Sequence, residues 1–413
     1  MLLNSDHDHD VDLSAAILTI HKQYNSFSYK PQHSQWTILA SFFLSRRRRP
    51  SQKDATISDD DNTLKVISLA TGTKCLPASK LSPRGESVHD SHAEVLARRG
   101  ALRWFLEEII HVRTSDGSYS SRWIVEGQDG KYKMKEDVHL HLYVSTLPCG
   151  DASMRFLASI QDEGMAALKS TSTFPVLDPS AASRGRDDYS RLGVLRTKPG
   201  RADSPPTLCM SCSDKIARWN VLGIQGALGA QFLSPIYIDA VIIGEVPVDM
   251  QDVVREDCER AFWARLGEIE GLPEGYSIHR PQVHFTDIPF VHSRSALKSS
   301  SSCNESICWT SQSSSSFEVL INGLKRGVSP KHRYREQSRP RLCRLALMKL
   351  CTEVSGMGNT HQAEAYSQLK LSSKEYQDAK EKLSGNGRPF GGWIKTGMQW
   401  QAFNVDGEVL QMT

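Results

Sequence analysis

The 413-residue chain contains no run of about 18 apolar residues, the length a membrane-crossing helix needs. Its first residues, MLLNSDHDHDVDLS, are acidic and polar and lack the charged-then-apolar pattern of a secretory signal. The expectation is therefore no membrane association and an intracellular location, nuclear, cytoplasmic or both. An excess of one charge sign is missing as well. Lys and Arg number 50 against 47 Asp and Glu, a formal net charge of +3. That excludes a uniformly basic nucleic-acid coat and leaves room for local basic patches. No internal repeat is visible. The nine cysteines of an intracellular chain read as free thiols, metal ligands or core residues rather than disulfides.

What is present is an ordinary globular composition, 39% hydrophobic and 23% charged. The pattern predicts helix in LSAAILTIHKQYNSF and again in WTILASFFL, over about 13–44. LKVISLATGTKCL (64–76) reads as a strand ending in a Gly/Thr turn. Ser91 to Val112 has helical periodicity. VHLHLYVSTLPCG (138–150) reads as a strand that stops at Pro-Cys-Gly. CSDKIARWNVLGIQG (212–226) reads as a helix, IYIDAVIIGEV (236–246) as a buried strand, and 251–265 as another helix. RPRLCRLALMKLCTEV and HQAEAYSQLKLSSKEYQDAKEKL (361–383) give two further helices. Alternating strands and helices imply an α/β core. No linker divides two cores, so the reading is one domain over 1–413, with flexible insertions near 46–62, 113–137, 179–206 and 293–316.

SHAE, at Ser91 to Glu94, has two readings. It fits S-x-x-E, the capping box that opens many helices. It also contains H-x-E, where a histidine holds a metal and a glutamate moves protons. A zinc site that activates water needs three protein ligands and an open position, and Cys and His suit that ion. Cys149, after Pro148 where a strand turns, is a second candidate. A thiol at a helix start loses its proton more easily. The familiar P-C-x-x-C continuation fails, because Ala152 stands where the second cysteine belongs. LCMSCSDKIARW offers Cys209 and Cys212 as the third ligand, with Cys212 at a helix start. A redox pair or half of a structural zinc site is the plain reading of that C-x-x-C. Neither a second C-x-x-C nor a thioredoxin-like context supports it.

TGTKC, HAEVLARR, LPCGDAS, LRTKPGR, MSCSDKIARWNVLGIQG and SKEYQDAK occur in an order that resembles the adenosine deaminases acting on RNA. The likeness runs from about Leu13 to the C-terminus. It is nearest to the eukaryotic branch that modifies tRNA, at the adenosine 3′ of the anticodon in alanine tRNA. The resemblance implies a cytidine-deaminase-like mixed sheet flanked by helices. It implies zinc held by His92, Cys149 and Cys212, with Glu94 as proton shuttle in the hydrolysis of adenosine to inosine. Thr73 and Lys74 are placed at the nucleotide pocket, and Arg196, Lys198 and Arg201, on a Pro/Gly loop, against the RNA backbone. The RRRR run (46–49) reads as a solvated charge run, a phosphate patch or a nuclear localisation signal.

The resemblance also implies inositol hexakisphosphate enclosed by extra C-terminal helices. The matching positions are Arg98, Arg99, Lys215, Arg218, Trp219, Lys325, Tyr366, Lys370, Tyr376, Lys380 and Trp400. Without that polyanion, buried unpaired cations would be very costly. No RNA-binding domain precedes the deaminase-like region, which favours tRNA as partner over duplex or messenger RNA, and no obligate protein partner is evident. Ser153 departs from the Arg that the duplex-RNA editors carry there. A catalytically inactive RNA-binding relative would be expected to lose Glu94.

Overall fold

A computed structural model describes residues 12–32, 34–46, 63–161, 181–186, 188–199, 204–311, 317–356 and 364–411. Helix α1 (Leu13–Asn25) is capped by the Asp12 carboxylate, which accepts from the Ala15 N–H at 2.9 Å. The run WTILASFFL is not helical. It contains strand β1 (Leu39–Arg46), buried almost throughout. Ala40, Phe42 and Leu44 face the layer that contains the long helix α2 (Ala93–Thr114), whereas Leu39 and Phe43 face the layer under α1. A strand buried on both faces shows no polar alternation, so periodicity cannot separate it from a buried helix.

Strand β2 (Leu64–Thr71) runs into a two-stranded ribbon of β3 (Thr73–Cys75) and β4 (Asp90–His92). In that ribbon Thr73 stands opposite His92, and Lys74 opposite Ser91. Gly72 makes the transition at φ +144°, where a Cβ would collide with the Ser91 carbonyl and the Ser306 side chain. Helix α2 leaves the ribbon directly, with His92 as its N-cap and no side-chain capping bond. The capping box is therefore absent. Ser91 is a strand residue whose carbonyl accepts from the Ser306 hydroxyl at 3.2 Å. Gly100, inside α2, costs about 1 kcal/mol of helix propensity. It is required because a Cβ there would lie 2.9 Å from that of Ser68, so the helix rests directly on the sheet.

Residues 113–137 are not simply a loop. They hold a hairpin of β5 (Ile124–Glu126) and β6 (Tyr132–Met134), turned by a Gln-Asp-Gly sequence. After β7 (Val138–Val144) come the short helix α3 (Met154–Ser159) and two brief strands, β8 (Ser183–Arg184) and β9 (Arg196–Thr197), paired in parallel. Helix α4 (Cys212–Leu222) ends at Gly223, φ +73°. Strand β10 (Ala240–Gly244), helix α5 (Gln251–Phe262) and strand β11 (Gln282–Thr286) follow.

The Ser-rich stretch 293–316 is also more ordered than its composition implies. Its ESICWT segment is β12 (Glu305–Thr310), which pairs with β2, Trp309 opposite Leu69. Residues 312–316 lie outside the described residues. Strands β13 (Glu318–Ile321) and β14 (Leu324–Lys325) complete one mixed sheet, ordered β11-β10-β7-β1-β2-β12-β13-β14. Strands β7, β10 and β11 are mutually parallel and the other neighbours antiparallel. Helix α6 (Arg344–Ser355) lies against α2. The last predicted helix is split into α7 (Tyr366–Leu369) and α8 (Lys374–Ser384), because Ser373 starts a new helix. Residues 361–363 of that prediction, and 47–62 including Arg47 to Arg49, lie outside the described residues. The α/β expectation stands as a large mixed sheet flanked by helices. No described helix is long and apolar enough to cross a membrane.

Gly72→Ala should destabilise the protein by roughly 2–4 kcal/mol, from overpacking and an unfavourable φ together. Urea denaturation checks this, and a midpoint equal to wild type would contradict the role given to Gly72.

Candidate active site

Three chain segments converge at one point. His92 caps α2, Cys149 follows Pro148 beyond β7, and Cys212 is the first residue of α4. Helix α4 is anchored there by its own cap. The Ser211 hydroxyl accepts from the Asp214 N–H at 3.1 Å, and Ser213 N–H donates to the Cys149 carbonyl at 2.9 Å. The Cys212 N–H in turn points at the Cys149 sulfur, 3.4 Å away. Hydrogen bonding from Cys212, with Lys198 and His92 nearby, holds the Cys149 thiol well below its ordinary range despite burial. Burial and that neighbouring sulfur push the Cys212 thiol up.

Glu94 is the second residue of α2 and is 1% exposed. Its Oε2 is buried without a hydrogen-bond partner. Burial first, then the Cys149 charge, raise its pKa above the usual carboxylate range. A cavity of about 160 Å³ brings His92, Glu94, Cys149, Thr73 and Lys198 together, along with Trp36, which sequence reasoning did not single out.

Asp90 was also missed, although an acid two residues before a candidate ligand is a usable signal. Its Oδ1 takes both the His92 Nδ1 at 2.8 Å and the His92 backbone N–H at 3.1 Å. Its Oδ2 takes Lys198 Nζ at 2.9 Å and also Lys215 Nζ. Lys198 then reaches the Cys212 sulfur at 3.2 Å. Burial opposes the Asp90 charge, but Lys198, Lys215 and His92 outweigh it and hold the carboxyl well below its ordinary value. Burial and Lys198 likewise oppose protonation of His92. The Asp90 carboxylate and Cys149 nonetheless hold the imidazole up at about 9.

Several expectations about RNA contacts are corrected. Arg196 is fully buried and donates to the carbonyls of Gly185 (3.2 Å), Asp188 (3.0 Å) and Arg191. Lys198, 3% exposed, serves Asp90 and Cys212. The segment LRTK has a loop's composition, but it pairs with the chain before α4: Lys198 N–H meets the Cys209 carbonyl and Ser211 N–H meets the Arg196 carbonyl, both at 2.7 Å. That pairing carries both side chains inward. Arg201 lies outside the described residues. Lys74 borders a separate cavity and donates to the Ser302 hydroxyl at 2.8 Å. Cys209 sits beside Cys75 and borders another cavity, apart from His92 and Cys149.

That cavity encloses about 680 Å³ under α2, α4, α7 and α8. It brings together Arg98, Arg99, Lys215, Arg218, Trp219, Tyr366, Lys370, Tyr376 and Lys380, as the resemblance implies. Arg344 and Lys395 join them and were not foreseen. Eight cations face one carboxylate, Asp90. Two expected members are absent. Lys325 pairs with Glu318 at 2.8 Å, on the β13–β14 hairpin, and Trp400 contributes only a carbonyl, which accepts from Arg344 at 2.9 Å. Burial, then Arg344, Lys380 and Arg218, depress Lys370 to about 7. Burial pulls Arg98 down to about 10, and its Nε has no partner.

Among the described residues no three His, Cys, Asp or Glu side chains form a ready-made metal arrangement; those of the smaller site hydrogen-bond one another instead. The donor set still suits zinc. A carboxylate fixes one imidazole nitrogen and leaves the other available. A thiolate and a second sulfur adjoin it. The orphaned Glu94 Oε2 shares a cavity with His92 and Cys149, and its charge reaches Cys212. The larger cavity fits a polyanion on equally direct grounds, since its cations are desolvated and nearly unopposed.

A histidine that caps one helix, a cysteine that opens another, a second cysteine between β7 and α3 and a buried glutamate beside them form the pattern of the nucleobase deaminases. Within that class, the sequence pattern of the adenosine-deaminase (editase) domain matches residues 68–397, and the chain belongs to that family. It is 32% identical over 355 residues to tRNA-specific adenosine deaminase 1 of Schizosaccharomyces pombe, covering 83% of this chain and 84% of that protein. The Drosophila melanogaster protein of the same name is 32% identical over 374 residues, covering 85% and 86%. The double-stranded RNA-specific editase Adar of Drosophila melanogaster is 29% identical over 351 residues, covering 83% of this chain but 49% of that protein.

Asp90→Asn should cost about 3–5 kcal/mol of stability, because Lys198 and Lys215 would remain buried without a counter-charge. Chemical denaturation of the variant measures this, and a loss below 1 kcal/mol would remove Asp90 from the centre of the network.

Proposed function

We propose that the chain hydrolyses adenosine to inosine in tRNA, beside the anticodon of alanine tRNA. The observation that carries this reading is the buried Glu94 carboxylate, its Oε2 unpartnered, which shares a cavity with His92 and Cys149 and lies within electrostatic reach of Cys212. The tRNA-specific names of the relatives that match along most of their length support the substrate class. In this reading His92, Cys149 and Cys212 hold zinc, which supplies the Lewis acidity that makes a water nucleophilic near neutral pH. Asp90 orients the His92 ring through Nδ1, and Lys198 stabilises negative charge on Cys212. Glu94 accepts a proton from the water attacking C6 and delivers it to N1; it then takes the remaining proton from the new C6 hydroxyl and delivers it to the amino group, so that ammonia leaves as the C6 carbonyl of inosine forms. A raised pKa suits a carboxylate that is protonated and deprotonated in each turnover. The target base has to leave its stack, and an anticodon-loop base, not Watson–Crick paired, does so at less cost than one in a duplex.

In the same reading the larger cavity holds inositol hexakisphosphate, whose phosphates neutralise Arg98, Arg99, Arg218, Arg344, Lys370 and Lys380 and join α2 and α4 to the C-terminal helices.

Glu94→Gln should retain one zinc per chain while deamination of an alanine tRNA transcript, read as A-to-G change, falls roughly 10²–10⁴-fold. Loss of zinc in parallel with activity would contradict the shuttle role, and wild-type activity on duplex RNA but not on tRNA would overturn the substrate. Denatured protein should release the polyphosphate in about equimolar amount by mass spectrometry, and finding none would overturn that assignment. Removal of the polyphosphate has a pH signature. Between pH 7 and 10.5 the unfolded chain keeps a proton on Lys370 that the emptied fold has given up. Stability of the stripped protein should therefore rise with pH across that window. A thermal-melting profile that instead falls from pH 7 to 10 would contradict the self-repulsion of this cluster.

A further inference from the structure

We infer that Trp36 binds the substrate nucleoside, donating its indole N–H to an acceptor atom away from the reacting C6–N1 edge. This rests on the deaminase reading above and deepens it.

Trp36 borders the same cavity as His92 and Glu94. Its Nε1 is buried and has no hydrogen-bond partner. A buried donor left unpaired costs about 1–3 kcal/mol, and native proteins rarely keep one without a reason. The residue cannot swing away cheaply, because its backbone is held on both sides. Its N–H donates to the Ser301 carbonyl at 3.0 Å, and its carbonyl accepts from the Cys303 N–H at 2.8 Å. The next residue, Thr37, donates to the His292 carbonyl at 2.9 Å, and the Ile38 carbonyl accepts from Gly72 at 3.1 Å. Trp36 is thereby tied to the turn that carries Thr73.

Thr73 Oγ1 and Glu94 Oε2 also border this cavity, each buried without a partner. The three differ in kind. An indole can only donate, a carboxylate at work accepts, and a hydroxyl does both. Adenosine supplies the complement. Its N1 and 6-amino edge engages Glu94 during the reaction. The remaining acceptors are N3, N7 and the ribose oxygens, and a donor-only group can pair only with these. Thr73 is left for a hydroxyl or a ring nitrogen. A guest nucleoside thus satisfies Trp36 Nε1, Thr73 Oγ1 and Glu94 Oε2 in one event.

The test uses Trp36→Phe, which keeps an aromatic ring and removes the N–H, on the full-length zinc-loaded protein. Substrates are tRNA transcripts carrying adenosine, 3-deazaadenosine, 7-deazaadenosine or 2′-deoxyadenosine at the target position. We expect kcat/KM on native adenosine to fall about 10-fold, a hydrogen bond's worth, with unchanged zinc content. One of the three analogues should impose a similar loss on wild type and no further loss on the variant, which identifies the acceptor. Trp36→His, which restores a ring donor, should recover part of the activity. A variant as active as wild type, or a penalty identical on all four substrates, would overturn the inference. Should the variant fail to fold, the wild-type series decides, since indifference to all three analogues overturns it. Wild type inactive on native adenosine fails the deaminase reading itself, and this inference with it.

Discussion

One buried carboxylate organises the interior. Asp90 accepts from His92 through both side chain and backbone, and from Lys198 and Lys215. Each partner belongs to a different part of the site. His92 starts α2, Lys198 touches Cys212, and Lys215 borders the large cavity. Taking a charge out of water costs several kcal/mol per ion unless attraction and hydrogen bonds offset it. Asp90 meets that condition with four donors. Its ionisation is secured by the two ammonium groups and the imidazole, and they in turn are tolerable only because Asp90 is ionised. The orientation of the His92 imidazole and the charge state of the cation-lined wall therefore depend on one carboxylate, through Oδ1 and Oδ2 respectively.

Beyond that wall the balance fails. Arg98, Arg99, Arg218, Arg344, Lys370 and Lys380 are desolvated in one another's company, and burial pulls the pKa of Arg98, Arg99, Arg344, Lys370 and Lys380 down. No acidic side chain of the cavity lining except Asp90 compensates. The smaller cavity repeats the situation with orphaned hydrogen-bonding atoms in place of charges. Both are interior sites whose buried charges or hydrogen-bonding atoms the protein leaves without full compensation; in the proposed function a polyanion would complete one and a metal with a nucleoside the other.

Much of this was legible in the sequence where the signal is local. The strands of LKVISLAT and VHLHLYV, the α2 and α4 helices and the three donor positions each carry a pattern of a few residues. Features set by long-range packing were not legible. WTILASFFL lacks polar alternation because both faces of β1 are covered. LRTKPGR looks like a solvated loop, and only its pairing with residues 209–211 shows that Arg196 and Lys198 point inward. Ser91 fits a capping box yet belongs to a strand, because the β3–β4 ribbon claims it. The cations of the large cavity come from α2, α4, α6, α7 and α8 and from the tail after α8. Composition cannot show that they face each other, and only a resemblance to a known family drew most of them together beforehand. That resemblance misplaced Lys325, whose charge is spent on Glu318.

In the proposed function His92, Cys149 and Cys212, and not Cys209, form the zinc donor set beside Glu94. X-ray absorption at the zinc edge of the purified full-length protein tests it most directly. The expected spectrum has two sulfur scatterers at about 2.3 Å and two nitrogen or oxygen scatterers at about 2.0 Å, one of them with imidazole character. This pattern should be unchanged in Cys209→Ser. Three or four sulfur ligands, loss of a sulfur shell in Cys209→Ser, or protein that binds no zinc would contradict it.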